Sequence, residues 1–352
     1  MTTPDPASVS WQPAEVTAPG LSDPVAVVAA KAIPYLSDVD RLQNLNIYLP
    51  RTSQTSALID TPVKALPTPG EASTLPRYHV HVHGGAWRDP YLTADSIEPA
   101  IARAFSAPEG SNPLMAVASI NYRISPFPTH PTLPYDAVKD EHSDPAREAV
   151  HPQHLSDVLH GLALLHSLGL TEMSYVLSGH SCGACLALQA TLAPPRQYGI
   201  ENVREAPVPA ALLGLNGLYD LPALVDGLGG SHEHLRTEYA MLLANAFGAD
   251  QRTWPAASPA RFDPAGIAER VEDGQAPRLV VLDQSPDDQL VPMNQRDRLE
   301  TTSSKVKAIR TVRGHRCAGK HAAPWEEGSI IWKSLQDIFS LLAGEGGRRV
   351  NV

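Results

Sequence analysis

Cysteine is nearly absent. Three residues in 352, Cys182, Cys185 and Cys317, cannot build a disulfide framework. No apolar stretch approaches the ~20 residues that a membrane span needs. No run of basic residues occurs, and Asp plus Glu outnumber Lys plus Arg by 38 to 28, for a net charge of −10. That balance argues against a general role on nucleic acid or on anionic membranes. The residues from Met1 to Ala7 hold neither a basic region nor an apolar one, so no signal peptide is expected. No internal repeat is found. Charged residues make up 19% and apolar residues 43%, an ordinary globular composition. Together these features lead us to expect a cytoplasmic enzyme. What is plentiful is proline: 33 residues, gathered in a few stretches that mark long irregular connections.

Residues 1 to 40 carry weak signals and several prolines, and are expected to form an arm on the surface. Residues 41 to 345 are expected to form one domain. Leu45 to Pro50 alternates like a strand, and Tyr78 to His83 is another. Between them, residues 51 to 76 have no periodicity and read as an exposed insertion. Leu114 to Ile120 is a continuous apolar run, as in a buried parallel strand. Residues 126 to 152 form a second long insertion. Leu155, Val158, Leu159, Leu162 and Leu165 then share one helical face. Further strands are expected at 173–177, 210–215, 278–282 and 306–312, and a closing helix over 326–342. Residues 218 to 275 read as an excursion with helical pieces. Alternating strands and helices predict an α/β fold, with a mostly parallel central sheet and helices on both faces.

The chemistry centres on Gly179-His180-Ser181-Cys182-Gly183. This G-x-S-x-G lies between a strand and a helix, the setting of a nucleophile elbow. The turn strains Ser181 and exposes its hydroxyl, and the glycines give it room. A serine needs a base, and the base needs a carboxylate to orient it. In this architecture the order is Ser, then acid, then His. The acid is sought after the 278–282 strand, where Asp288 is preferred and Asp287 stands beside it. The histidine is sought after the last strand, where His321, on the loop entering a helix, is preferred over His315. Oxyanion donors are expected from the Cys182 amide and from Gly84 and Gly85 of His83-Gly84-Gly85-Ala86-Trp87, directly after a strand. Cys182 and Cys185 have redox-dithiol spacing, but Cys182 is already explained as the residue after the nucleophile. His79, His81 and His83 share one strand face, but no carboxylate or Cys neighbours them, so no metal is expected.

These motifs resemble the α/β-hydrolase superfamily of the His-Gly-Gly type, and within it the fungal kynurenine formamidases. The similar segments are His83 to Pro90, Asn121 to Pro126, Gly179 to Ala184, Asn216 to Leu221, Ser285 to Leu290 and Gly319 to Gly328, which spread over most of the chain. The resemblance implies an α/β-hydrolase fold with a helical cap at about 218–275. It implies hydrolysis of the small-molecule substrate N-formyl-L-kynurenine to L-kynurenine and formate, in tryptophan catabolism, with no cofactor. It supports Ser181, Asp288 and His321 as the triad, and it makes Trp87 and Tyr219 candidates to stack on the kynurenine ring. The alternative is a carboxylesterase on the same residues. Position 216 is Asn where the resemblance implies an acidic residue. Neither nucleic acid nor a membrane is an expected partner, and a homodimer stays open.

Overall fold

The computed structural model describes residues 5–37, 39–68, 75–107, 112–201, 203–204 and 206–349. Its centre is a nine-stranded sheet: β1 (Gln12–Val16), β2 (Val25–Pro34), β3 (Asn44–Pro50), β4 (Tyr78–Val82), β5 (Ala116–Ile120), β6 (Tyr175–His180), β7 (Ala211–Leu215), β8 (Leu279–Asp283) and β9 (Arg310–Arg313). The spatial order is β1-β2-β3-β5-β4-β6-β7-β8-β9. The first three strands run antiparallel to their neighbours. The other six are mutually parallel. The principal helices are α1 (Glu98–Phe105), α2 (Gln153–Ser167), α3 (Cys182–Leu192), α4 (Arg236–Phe247), α5 (Pro264–Glu272), α6 (Asn294–Ser303) and α7 (Ser329–Arg349).

The strand period of two divides the core into two layers. Tyr175 and Leu177 of β6 pack on one face with Leu155, Leu162 and Leu186. Val176 packs on the other with Ala100, Ile331 and Ile338. Both faces being covered, β4 to β8 are buried at every position. Helix α3 is buried at all eleven residues, so it runs through the core rather than over it.

Four expectations need correction. Residues 1–4 and 38 lie outside the described residues, and the described residues of the 1–40 stretch are not a surface arm. They supply β1 and β2, with Val27, Val28 and Ile33 fully buried. The prolines that suggested a coil lie where strands tolerate them: Pro13 on the edge strand, Pro24 and Pro34 at the ends of β2. The 51–76 segment is not exposed throughout. Val63 and Leu66 are buried, and the Leu66 amide donates to the Leu168 carbonyl at 2.7 Å. Residues 69–74 of that segment lie outside the described residues. The last strand is shorter and later than expected, because Ser303 to Ile309 spend their backbone groups on turn hydrogen bonds. The closing helix starts at Ser329, after a separate short helix at Ala323–Glu327.

The parallel strands place their C-terminal ends at one edge of the sheet, where ligands of such sheets bind. There β4 runs into His83-Gly84-Gly85, β6 into Ser181, β7 into Asn216, β8 into the 284–292 loop and β9 into the 314–322 loop. The 218–275 excursion carries α4 and α5, and α4 brings Glu238, Tyr239 and Leu242 to that edge.

Candidate active site

Ser181 has φ 53° and ψ −122°, a conformation that side-chain-bearing residues avoid. Tight packing holds it there. Its amide donates to the Leu215 carbonyl at 2.9 Å, and its own carbonyl accepts the Leu218 amide at 3.3 Å. The flanking glycines leave no space for side chains. A Cβ on Gly179 would lie 2.2 Å from the Gly183 carbonyl oxygen, and one on Gly183 would lie 2.2 Å from that of Val82. β6 and α3 therefore meet at backbone distance, and Ser181 is pushed outward into a cavity of about 290 Å³. Its hydroxyl makes no hydrogen bond to another group of the protein among the described residues.

His321 shares that cavity wall. Its Nδ1 donates to Asp288 Oδ2 at 2.8 Å. Asp288 is buried, and three further donors hold it. The Leu290 and Val291 amides reach Oδ1, each at 2.9 Å, and the Gln284 amide reaches Oδ2 at 3.2 Å. Burial pushes the Asp288 carboxyl up. The hydrogen bond and charge of His321, together with the two backbone amides, outweigh this and hold it below the ordinary carboxylate range. Asp287 is exposed, and His315 lies on the surface, 3.9 Å from Asp337 and 72% exposed. The structure thus brings Ser181, His321 and Asp288 to one place and leaves Asp287 and His315 outside it.

The loop after β4 lies against the nucleophile. A Cβ on Gly84 would sit 3.2 Å from that of Ser181. Gly85, Ala86 and Trp87 all have positive φ, 103°, 50° and 57°. The amides of Gly84 and Gly85 donate to no protein group among the described residues, and Cys182, first in α3, has no intrahelical acceptor for its own. Gly84 and Cys182 stand next to the serine, and Gly85 lines the cavity that it enters. Tyr122 and Cys182 fix the loop. The Tyr122 hydroxyl reaches the His83 and Gly84 carbonyls at 3.0 and 3.1 Å, and the Trp87 amide donates to Cys182 Sγ at 3.3 Å. Burial pushes the Cys182 thiol up to about 11, so it serves as a neutral brace. Next to the serine, His180 donates from Nε2 to the His321 carbonyl at 2.8 Å. Burial, with the charge of His321 adding to it, pushes His180 down to about 3, so it stands neutral.

No protein-family model matches the chain. A kynurenine formamidase-like hydrolase of Fusarium equiseti is 30% identical over 317 residues, covering 88% of this chain and 94% of the relative. The chain belongs to the kynurenine formamidase family. A kynurenine formamidase of Aspergillus versicolor is 28% identical over 264 residues, covering 72% of this chain and 86% of its own. Among solved structures, a truncated carbohydrate esterase from gut microbiota has a TM-score of 0.56 at 16% identity, covering 90% of this chain and 96% of its own. An inhibited esterase B from Lactobacillus rhamnosis has a TM-score of 0.58 at 14% identity, covering 93% and 90%. Both share the α/β-hydrolase fold. Like its family, this chain is an amide or ester hydrolase.

Two expected contacts in this family member are corrected. Trp87 is buried and absent from the cavity wall. The turn that frees the Gly84 and Gly85 amides points its ring into the core, edge-on to Phe247 at 4.9 Å. Tyr219 is buried too, its hydroxyl in the space that side chains at Gly214 and Gly217 would fill. The cavity is walled instead by Phe127, Tyr239, Leu242 and Trp325, with Arg88 and Glu238 among them. Of these, Arg88 was within reach of the sequence, because it sits inside the His-Gly-Gly segment. Asp283, the last residue of β8, accepts the Arg316 and Cys317 amides at 2.9 and 3.0 Å and so shapes the loop that bears His321. His79 and His81 both bond Ser178 Oγ, at 2.6 and 2.8 Å. Among the described residues no three His, Cys, Asp or Glu side chains are grouped to hold a metal ion.

Proposed function

We propose that this hydrolase cleaves the formamide of N-formyl-L-kynurenine, giving L-kynurenine and formate, through a Ser181–His321–Asp288 triad. The observation that carries the reading is the buried Asp288–His321 pair, 2.8 Å apart, on the wall of the cavity that Ser181 enters. In the first half-reaction His321 Nε2 takes the Ser181 proton as Oγ attacks the formyl carbon. The oxyanion is held by the Gly84, Gly85 and Cys182 amides. His321 then returns the proton to the aniline nitrogen, the C–N bond breaks, and L-kynurenine leaves. The second half repeats the steps with water, which attacks the formyl ester and releases formate and Ser181. Asp288 stays ionised and keeps the imidazole oriented. An arylamine is a better leaving group than an alkylamine, so a triad of esterase type suffices.

Kynurenine release from N-formyl-L-kynurenine tests the substrate, and Ser181→Ala tests the nucleophile. The variant is expected to stay folded and to lose roughly four to six orders of magnitude in kcat. Activity at the wild-type level would remove Ser181 from the mechanism. The second reading, a carboxylesterase, draws on the apolar walls of the cavity. It would be favoured if p-nitrophenyl esters were turned over with much higher kcat/KM than the formamide.

A further inference from the structure

Besides Ser181, His180 and His321, three charged side chains stand on the otherwise largely apolar cavity wall: Arg88, Asp89 and Glu238. Arg88 enters it from the loop after β4, and Glu238 meets it from α4. The two form an ion pair through Arg88 Nη2 and Glu238 Oε1. Their surroundings differ. The Arg88 side chain is 6% exposed and that of Glu238 44%. The Arg88 guanidinium lies over the Phe127 ring, 3.8 Å from its centroid, and its Nε is buried without a hydrogen-bond partner. Asp89 also touches the cavity, but its Oδ1 already accepts the Tyr91 amide at 2.9 Å. The formamidase chemistry uses neither Arg88 nor Glu238.

We propose that Arg88 and Glu238 form a subsite for a zwitterionic α-amino-acid group, Arg88 taking the carboxylate and Glu238 the ammonium. The proposal rests on the reading of the cavity as the site of formamide cleavage. A buried guanidinium cannot stand without an anion. In the free protein Glu238 supplies one. A neutral substrate gains nothing from this pair. A carboxylate alone can replace Glu238 on Arg88 but leaves Glu238 unpaired. A zwitterion inserts between the two and satisfies both, with no net change in buried charge. Because Glu238 is half exposed, water compensates it partly, so the carboxylate contact contributes more than the ammonium contact. The Arg88 amide donates to the Gly85 carbonyl at 2.9 Å, so the cation rides on the same rigid turn as the oxyanion donors. That link fixes the distance between the carboxylate and the reacting carbon.

The test compares kcat/KM for N-formyl-L-kynurenine, its α-methyl ester and its des-amino analogue, in wild type, Arg88→Met and Glu238→Gln. Wild type is expected to lose about 10- to 100-fold on the methyl ester, and about 10-fold or less on the des-amino analogue, mostly through KM. Arg88→Met should erase the preference for the free acid, and Glu238→Gln the preference for the amino group. The proposal is overturned if wild type handles acid and ester within about threefold, or if each preference survives intact in its variant. A second arm measures L-kynurenine and its methyl ester as inhibitors of p-nitrophenyl acetate hydrolysis by wild type. Stronger inhibition by the free acid supports the subsite even if the formamide is not turned over, and equal inhibition overturns it. Failure of the subsite and failure of the formamidase reading are thereby separable, and the wild-type arms need no variant to fold.

Discussion

Asn216 donates from Nδ2 to the His321 carbonyl at 3.2 Å and accepts the Ser285 amide at Oδ1, at 2.9 Å. One buried side-chain amide therefore joins the loop that bears the base to the loop that bears the acid. Its φ of 46° falls where Asn is tolerated better than most residues. The sequence marked this position only as a departure from an expected acidic residue. A carboxylate could accept from Ser285, but it would set oxygen against the His321 carbonyl. Asn216→Asp is thus expected to reduce kcat by about 10-fold or more and to cost about 1–3 kcal/mol, from an unpaired buried acceptor. Kinetics and urea unfolding of the pure variant check both, and an unchanged kcat would show that the tie is dispensable. That Ser181, Asp288 and His321 come to one place was legible because each follows a strand. Trp87 and Tyr219 were misread because residue type does not reveal which way a ring turns. At Trp87, the positive φ of 57° sends the ring into the core.

At the scale of elements, the strand–turn–helix around Ser181 works because β4, β6 and α3 approach without side chains between them. A Cβ on Gly183 would lie 2.2 Å from the Val82 carbonyl oxygen and 2.4 Å from that of His83, and both are rigid backbone atoms. Gly183→Ala must therefore move α3 away from β4, and with it the Cys182 amide and the Cys182–Trp87 tie to the loop of oxyanion donors. The expected cost is about 1–3 kcal/mol in stability, with kcat falling by about 10-fold or more. Urea midpoints and initial rates measure the two effects. A variant as stable and as active as wild type would mean that the elbow has slack the geometry does not show. β3 to β8 were readable because apolar runs and strict alternation are strong signals. β1 and β2 were not. Ala26, Ala29 and Ala30 dilute the pattern, and flanking prolines resemble coil. Their strand state depends on pairing with β3, a partner distant in sequence.

For the whole molecule, the cavity was the least legible feature, since Arg88, Phe127, Glu238 and Trp325 converge from four separate segments. Folding has a further consequence: it buries histidines in bulk. Burial pushes His79 and His180 down to about 3, and His83 and His151 to about 4, from an ordinary value of 6.5. It takes His81 and His154 well below that value. All six lie lower in the folded than in the unfolded chain. Their contribution to stability is therefore fully present above pH 6.5 and is lost as pH falls from there towards 3 to 4. Each such group steepens the loss by about 1.4 kcal/mol per pH unit once the unfolded chain is protonated. Four of them together give about 5 kcal/mol per unit below about pH 5.5. A net-charge account predicts the opposite trend at first. The charge of −10 at pH 7 shrinks towards neutrality at a pI of about 5.7, which relieves self-repulsion. Urea unfolding at pH 7.0, 6.0 and 5.0 separates the two. Stability is expected to fall at each step, steeply at the last, and a rise between pH 7.0 and 6.0 that persists to 5.0 would refute the histidine account.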